Sequence, residues 1–263
     1  MTPYTEAGKL LKDWRMARRL SQMELAFDAN VSTRHLSCVE TGKAQPGRTL
    51  LSRLSDALDI PLRERNTLLV AAGYAPGYSR IDLSDAEIAP VRTAIECILK
   101  QQEPYPAFVI NRYWDALMVN EAAGRLFAAL RGGGAKHGNI LRQVFDPEDM
   151  RPHIANWEDV AGDLIRHLHS DIAASPADGQ AQALLAEILA YPDVPDAWHK
   201  RQPDLAPLPL LTTHFHHPRG MLAFFSTITT FGTPRDITLA EIRIECLYPA
   251  DNHTAEFCAG LAP

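Results

Sequence analysis

No apolar run in this chain reaches the ~18–20 residues that a membrane-spanning helix needs. The opening stretch MTPYTEAGKLLKDWR has no apolar h-region and carries acidic residues early, so no secretory leader is expected. Cysteine is scarce: Cys38, Cys97, Cys246 and Cys258 lie far apart and form no CxxC pair, which predicts reduced, mostly buried thiols in a cytoplasmic protein. GxSxG, a P-loop, HExxH and a GxGxxG after a strand are all missing. The run Gly132-Gly133-Gly134 follows a helical stretch and reads as a loop, not a phosphate cradle. Neither a catalytic constellation nor a cofactor is expected. Repeats and low-complexity tracts are lacking too.

What is present is ordinary globular material. The chain has 263 residues, 46% of them hydrophobic, enough for one large domain or two modest ones. A net charge of −6 taken alone argues against a nucleic-acid partner. The distribution argues otherwise: residues 1–80 hold 12 Lys+Arg against 8 Asp+Glu, while residues 81–263 hold 14 against 24. A basic head on an acidic body points to an anionic partner at the N-terminal end only.

Up to about Gly73 the pattern is helical, and GYAPGYSR then reads as a boundary. SDAEIAPVRTAIECILK (84–100) predicts a connecting helix with Ile88, Val91, Ile95 and Ile98 or Leu99 along one side. From Ala107 the texture turns strand-like, with AFVIN and WDALMVN, before a helix over EAAGRLFAAL. Residues 156–174 predict a helix capped by Asn156, with Val160, Leu164, Leu168 and Ile172 inward; another helix spans about 179–191. Residues 192–209 are Pro-rich and irregular. The last third predicts strands over 210–217, 221–231 and 237–248, the last with Ile242, Ile244, Cys246 and Tyr248 on one face. The body is thus α+β, with helices on one face of a sheet.

The stretch LSQMELAFDANVSTRHLSCVETGK carries the chemistry of the head. Ser21 and Glu24 form a capping box, Asn30 suits a left-handed turn, and Ser32 caps the next helix. Val31 and Leu36 occupy hydrophobic-staple positions. Leu36 and Val39 then face inward and Thr33, Arg34 and Ser37 outward, until Gly42 stops the helix. Two helices at a fixed angle, the second with a short polar outer face, suit the DNA major groove. With Arg15, Leu25-Ala26, Val39-Glu40, Gly42-Lys43 and Pro46 in register, residues 7–73 resemble the lambda-repressor-like (XRE) helix-turn-helix family. The resemblance implies that Gln22, Ser32, Lys43 and Arg48 belong to the DNA-contacting set, with Gln22, Lys43 and Arg48 on phosphates. It places Thr33, Arg34 and Ser37 at base edges and makes Arg15–Glu40 an internal salt bridge. Gly47 stands where the family has a serine, so the fourth helix starts with a weaker cap.

PLRERNTLLVAAGYAPGY, QQEPYPAFVINRYWDALMVNEAAGRLF, LRQVFDPEDMRPHIANWEDVA and FFSTITTFGTPRDITLAEIRIECLYPAD resemble a narrower group, XRE regulators with a C-terminal MmyB-like (MltR-type) ligand-binding domain. That resemblance implies a PAS-like fold and a small, largely apolar, fatty-acid-like ligand. Between sheet and helices, Trp114, Phe127, Phe145, Trp157, Phe224 and Phe225 are the candidates to line a pocket, although aromatics also fill cores. Arg142, His153 and Arg219 are the candidates for an acidic head group. His214 and His216 share a strand face, but a third ligand is not evident and no metal is expected. His167 and His169 lie two apart on a helix and cannot face one ligand.

These readings combine into domains at 1–78 (DNA binding) and 104–263 (ligand binding), joined by a linker helix at 79–103. The expected protein is a cytoplasmic, ligand-responsive regulator that binds a double-stranded DNA operator as a homodimer, with no membrane partner. The alternative is a constitutive DNA-binding dimer whose second domain only dimerises or recruits a protein.

Overall fold

The structure, a computed structural model, describes residues 3–83, 85–175, 178–200, 210–232 and 234–261, with side chains from residue 6 onward. Contacts divide the chain into two compact units, Met1–Ile81 with Thr233–Ala240, and Asp82–Gly232 with Glu241–Pro263.

The first unit is five helices: α1 (Pro3–Ala17), α2 (Gln22–Asp28), α3 (Thr33–Glu40), α4 (Arg48–Ala57) and α5 (Leu62–Ala71). Local chemistry sets the breaks between them. The Glu24 N–H donates to Ser21 Oγ (3.2 Å) and the Ser21 N–H to Glu24 Oε2 (2.7 Å), the reciprocal box that starts α2. Asn30 takes φ 50° and lets the chain reverse into α3, whose start Ser32 caps through the His35 N–H. Gly42, at φ 71°, ends the turn after α3. Gly47 caps α4 without a side-chain hydrogen bond. Leu11, Leu25, Leu36, Val39, Leu51 and Leu54 are buried between the helices, each worth about 1.5–3 kcal/mol against exposure.

The stretch after α5, expected as a boundary, folds back onto the helices, and the division between the two units falls just after it, at Ile81/Asp82. Asn66 accepts from the Gly77 and Tyr78 N–H groups (2.8 and 3.0 Å) and donates to Tyr78 O (2.7 Å), while Tyr74 Oη donates to Pro46 O. The segment counted with this unit from later in the chain opens α11 (Ile237–Glu241). Here the expected strand over 237–248 is corrected. Asp236 Oδ1 accepts from the Thr238 and Leu239 N–H groups (2.8 and 3.3 Å), so its carboxylate caps a helical turn where alternation alone suggested a strand.

The second unit is built on a five-stranded antiparallel sheet, ordered β2-β1-β5-β4-β3. Its strands are β1 (Ala107–Ile110), β2 (Ala116–Val119), β3 (Thr212–Phe215), β4 (Leu222–Thr229) and β5 (Arg243–Pro249). The helices are α6 (Ala89–Gln101), α7 (Glu121–Arg131), α8 (Ile140–Phe145), α9 (Trp157–Ala174), α10 (Gly179–Leu189) and α12 (Asn252–Leu261). This is the α+β, PAS-like arrangement expected of the body.

Helices cover both faces of the sheet, not one. Ile95 and Leu99 of α6 pack on Ala107, Val109, Ile242, Ile244 and Cys246, the alternating face read from the sequence. Phe108, Ile110, Phe224 and Leu247 point the other way, into the larger core with α7 to α10 and α12. Burial pushes the Cys246 thiol up from its ordinary value, as suits a small buried hydrophobe. Of the expected connecting helix, Ser84 lies outside the described residues, and so do 201–209 of the irregular stretch; 196–199 form a short 3-10 turn.

Candidate nucleic-acid interface and ligand domain

The expected recognition element is α3, and its orientation rests on a network at its C-terminal end. Glu40 is buried, and Arg15 of α1 grips it with both forks of the guanidinium, Nε to Oε1 at 2.7 Å and Nη2 to Oε2 at 2.9 Å. Gln22, the first residue of α2, donates from Nε2 to the same Oε2 at 2.7 Å. Three helices therefore meet on one carboxylate. Burial alone would raise the Glu40 carboxyl, but the hydrogen bonds from Arg15 and Gln22 outweigh it and hold it below the usual carboxylate range. Gly8 of α1 completes the join, since a Cβ there would lie 2.2 Å from Val39 O.

Outward from this joint, Ser32, Thr33 and Arg34 are exposed at the start of α3, and Ser37 is half-buried one turn on. Lys43 is exposed just past the Gly42 turn. Gln22 spends one of its two amide hydrogens on Glu40 and keeps the other. Arg48, exposed at the start of α4, donates to Ala75 O (2.6 Å) and lies over the Tyr74 ring at 5.6 Å. Its guanidinium is held by the chain that folds back after α5. Sequence reading missed both the Gln22–Glu40 bond and the role of Gly8. A glycine inside a helical pattern was the available signal for the second.

In the second unit the aromatic candidates are mostly core. Trp114, Phe145 and Phe224 are 2%, 0% and 1% exposed. Trp157 packs edge-on to Phe145 (5.6 Å) and donates from Nε1 to Val144 O, with Arg151 over its ring at 3.9 Å. Phe127 is partly buried, edge-on to Phe215. Phe225 is corrected: neighbours on a strand point oppositely, and it stacks on Tyr248 (5.4 Å) on the α6 face of the sheet. Trp114, at φ 66°, keeps a buried Nε1–H with no partner among the described residues.

Of the basic candidates, Arg142 is gripped by both oxygens of Glu187 (2.7 and 2.8 Å). Arg219 lies over Phe257 at 5.2 Å, and the His153 carbonyl accepts from the His216 N–H. Among the described residues no contact joins the three. Asn156 is also corrected. It stands at the N-cap position of α9, but its side chain makes no cap bond and instead ties the helix to β3, donating to Thr212 O (2.8 Å) and accepting from the His214 N–H (2.9 Å). An open groove of about 840 Å³ lies between α6, β2 and α7, lined by Leu99, Met118, Val119 and Arg125 among others. None of the ligand candidates lines it. No helix of the described residues is long and apolar enough to cross a membrane.

Comparison with known proteins assigns both parts. A helix-turn-helix domain family matches residues 6–68, and the MmyB-like transcription regulator ligand binding domain matches residues 91–261. Among solved structures, the restriction-modification controller protein C.AhdI from Aeromonas hydrophila is 31% identical over 25% of this chain and 98% of its own, with a TM-score of 0.24. An RNA-binding light-oxygen-voltage receptor is 13% identical over 98% of this chain and 64% of its own, also at 0.24. At those scores neither superposition bears on the fold. No curated protein matches the chain. With well over half its length matched by the ligand-binding domain and a helix-turn-helix domain ahead of it, the chain belongs to the MmyB-like transcription regulators.

Proposed function

We propose that the protein reads a specific double-stranded DNA operator as a homodimer and that a small, largely apolar, fatty-acid-like ligand in its second unit modulates that binding. The observation that carries the DNA reading is the exposed Thr33–Arg34 face of α3, held rigid from behind by the Arg15–Glu40–Gln22 network. Arg34 reads a base, most readily guanine, worth about 1–3 kcal/mol of discrimination. Thr33 and Ser37 contact neighbouring edges, while Gln22, Ser32, Lys43 and Arg48 fix the register on phosphates. One such unit makes few base contacts, so paired half-sites on a two-fold dimer supply the specificity. Ligand shifts the equilibrium only if it binds the DNA-competent arrangement with a different affinity.

Operator titrations at several salt concentrations test this. Arg34→Ala should relax preference at one base position, whereas Lys43→Ala should weaken all sequences alike and flatten the salt slope by about one. Unchanged affinity and preference in Arg34→Ala would show that another face reads the DNA.

The tight packing of Trp114, Phe145 and Phe224 favours a second reading, in which the second unit holds no ligand and serves dimerisation or partner recruitment. Native mass spectrometry of the purified chain separates the two: a released mass of a few hundred daltons supports the sensor, and a clean chain mass supports the constitutive dimer.

A further inference from the structure

The second unit has one sheet edge that shows apolar side chains to solvent. β2 ends the sheet, with Leu117 40% and Val119 55% exposed. Such an edge invites pairing with another chain. Beside it runs the groove between α6, β2 and α7, with Leu99, Pro104 and Met118 along its apolar part. Its rim carries both signs of charge. On α6, Glu96 and Lys100 are exposed one turn apart; on α7, Glu121 pairs with Arg125 at 3.1 Å.

That mixture points to the occupant. Residues 81–263 hold 24 acidic against 14 basic residues, so two copies of this unit repel wherever acidic surfaces meet. A patch of alternating sign is where they can approach. A two-fold contact also requires the patch to match itself. With α6 antiparallel to α6 of a second copy, Glu96 faces Lys100 across the axis, and Lys100 faces Glu96. The same mixed rim selects no ligand of a single charge.

We propose that the β2 edge and the groove beside α6 are the surface through which two copies of this chain join, the exposed Val119 of each entering the groove of the other. This rests on the reading that the protein works as a dimer on paired half-sites.

Sedimentation velocity of the full chain over a range of concentrations tests it. Lys100→Glu and Val119→Arg lie at exposed positions, so folding is left intact. Each should weaken the dimer roughly tenfold, because the altered contact occurs twice across the axis. The swap Glu96→Lys with Lys100→Glu should restore it, since the charges again match across the axis. A dimer whose dissociation constant neither single variant moves, or which the swap fails to rescue, overturns the proposed surface and leaves the dimeric reader standing. A chain that stays monomeric at every concentration overturns both.

Discussion

Gly8→Ala sets two magnitudes against each other. In a solvated helix this change stabilises, by about 0.5–1 kcal/mol, because alanine loses less backbone entropy on folding. At position 8 of α1 the new Cβ would lie 2.2 Å from Val39 O and 3.0 Å from Glu40 O. Both are backbone atoms at the C-terminal end of α3 and cannot swing aside, so α1 must withdraw from α3. Overpacking of this kind costs about 1–3 kcal/mol. Withdrawal also loosens the Arg15 grip on Glu40, a pair whose side chains are only 11% and 1% exposed, and breaking a buried pair costs about 3–5 kcal/mol if it goes fully. The steric and electrostatic losses exceed the helical gain, and the expected net effect is a destabilisation of at least about 2 kcal/mol. Gly124→Ala is the control. It lies exposed inside α7, where a Cβ meets nothing within 4 Å, so only the helical gain of about 0.5–1 kcal/mol applies. Native-state hydrogen exchange reads each unit separately. Amides of α1 to α5 should lose protection in Gly8→Ala, and those of α7 should gain it in Gly124→Ala. Equal or greater protection of the first unit in Gly8→Ala would refute the close approach of α1 to α3.

Three further outcomes follow from the side-chain networks. Glu40→Gln leaves the buried Arg15 without its counter-charge and should cost the first unit about 3 kcal/mol, seen as a lower melting temperature and weaker operator binding. Asn156→Asp keeps the acceptor for the His214 N–H but leaves Thr212 O without its donor; a loss of about 1–3 kcal/mol in urea unfolding is expected. Asp146 is held well below the ordinary aspartate value of 3.8 by hydrogen bonds from His137, the Glu148 N–H and Lys136. A depressed carboxyl stabilises the fold above its unfolded-state value and ceases to do so as the pH falls through its folded value. Asp146→Asn should therefore be less stable than the parent at pH 7, and the gap should close as the pH drops below 3.8.

The head was legible because its instructions are local. The Ser21–Glu24 box, the left-handed Asn30, the Ser32 cap and the Gly42 stop each act within a few residues, and each stands where it was read. The Arg15–Glu40 bridge spans 25 residues, yet it came with the family pattern and not from spacing. Where the cause is distant or sterically one-sided, reading stopped short. Asn156 carries a cap's side chain in a cap's position, but Thr212 and His214, more than 50 residues on, compete for it and win both of its polar ends. Composition puts the turn at 74–78 at the edge of the helical unit, but the bonds that hold it there, with Asn66, Arg48 and Pro46, follow from no local pattern.

The ligand domain shows why a fold can be easier to read than a site. Period-two alternation at Ile242, Ile244, Cys246 and Tyr248 assigns a face without naming what covers it, and the cover proved to be α6, a helix expected only to connect. The same ambiguity affects the aromatics. A tryptophan or phenylalanine is drawn to the inner face of a sheet by its area whether or not a ligand follows it there. Phe224 sits on that face, and Trp114 from the β1–β2 turn and Phe145 from α8 pack into the same core, whereas the open groove uses smaller residues such as Met118 and Val119 that composition does not single out. What separates a site from a core is the polar atom left without a partner. Arg142 has spent its fork on Glu187, but Trp114 Nε1 and Arg125 Nε are buried with no partner among the described residues. Such atoms depend on where every neighbour's hydrogen bonds go, a count that exists only once the chain is folded.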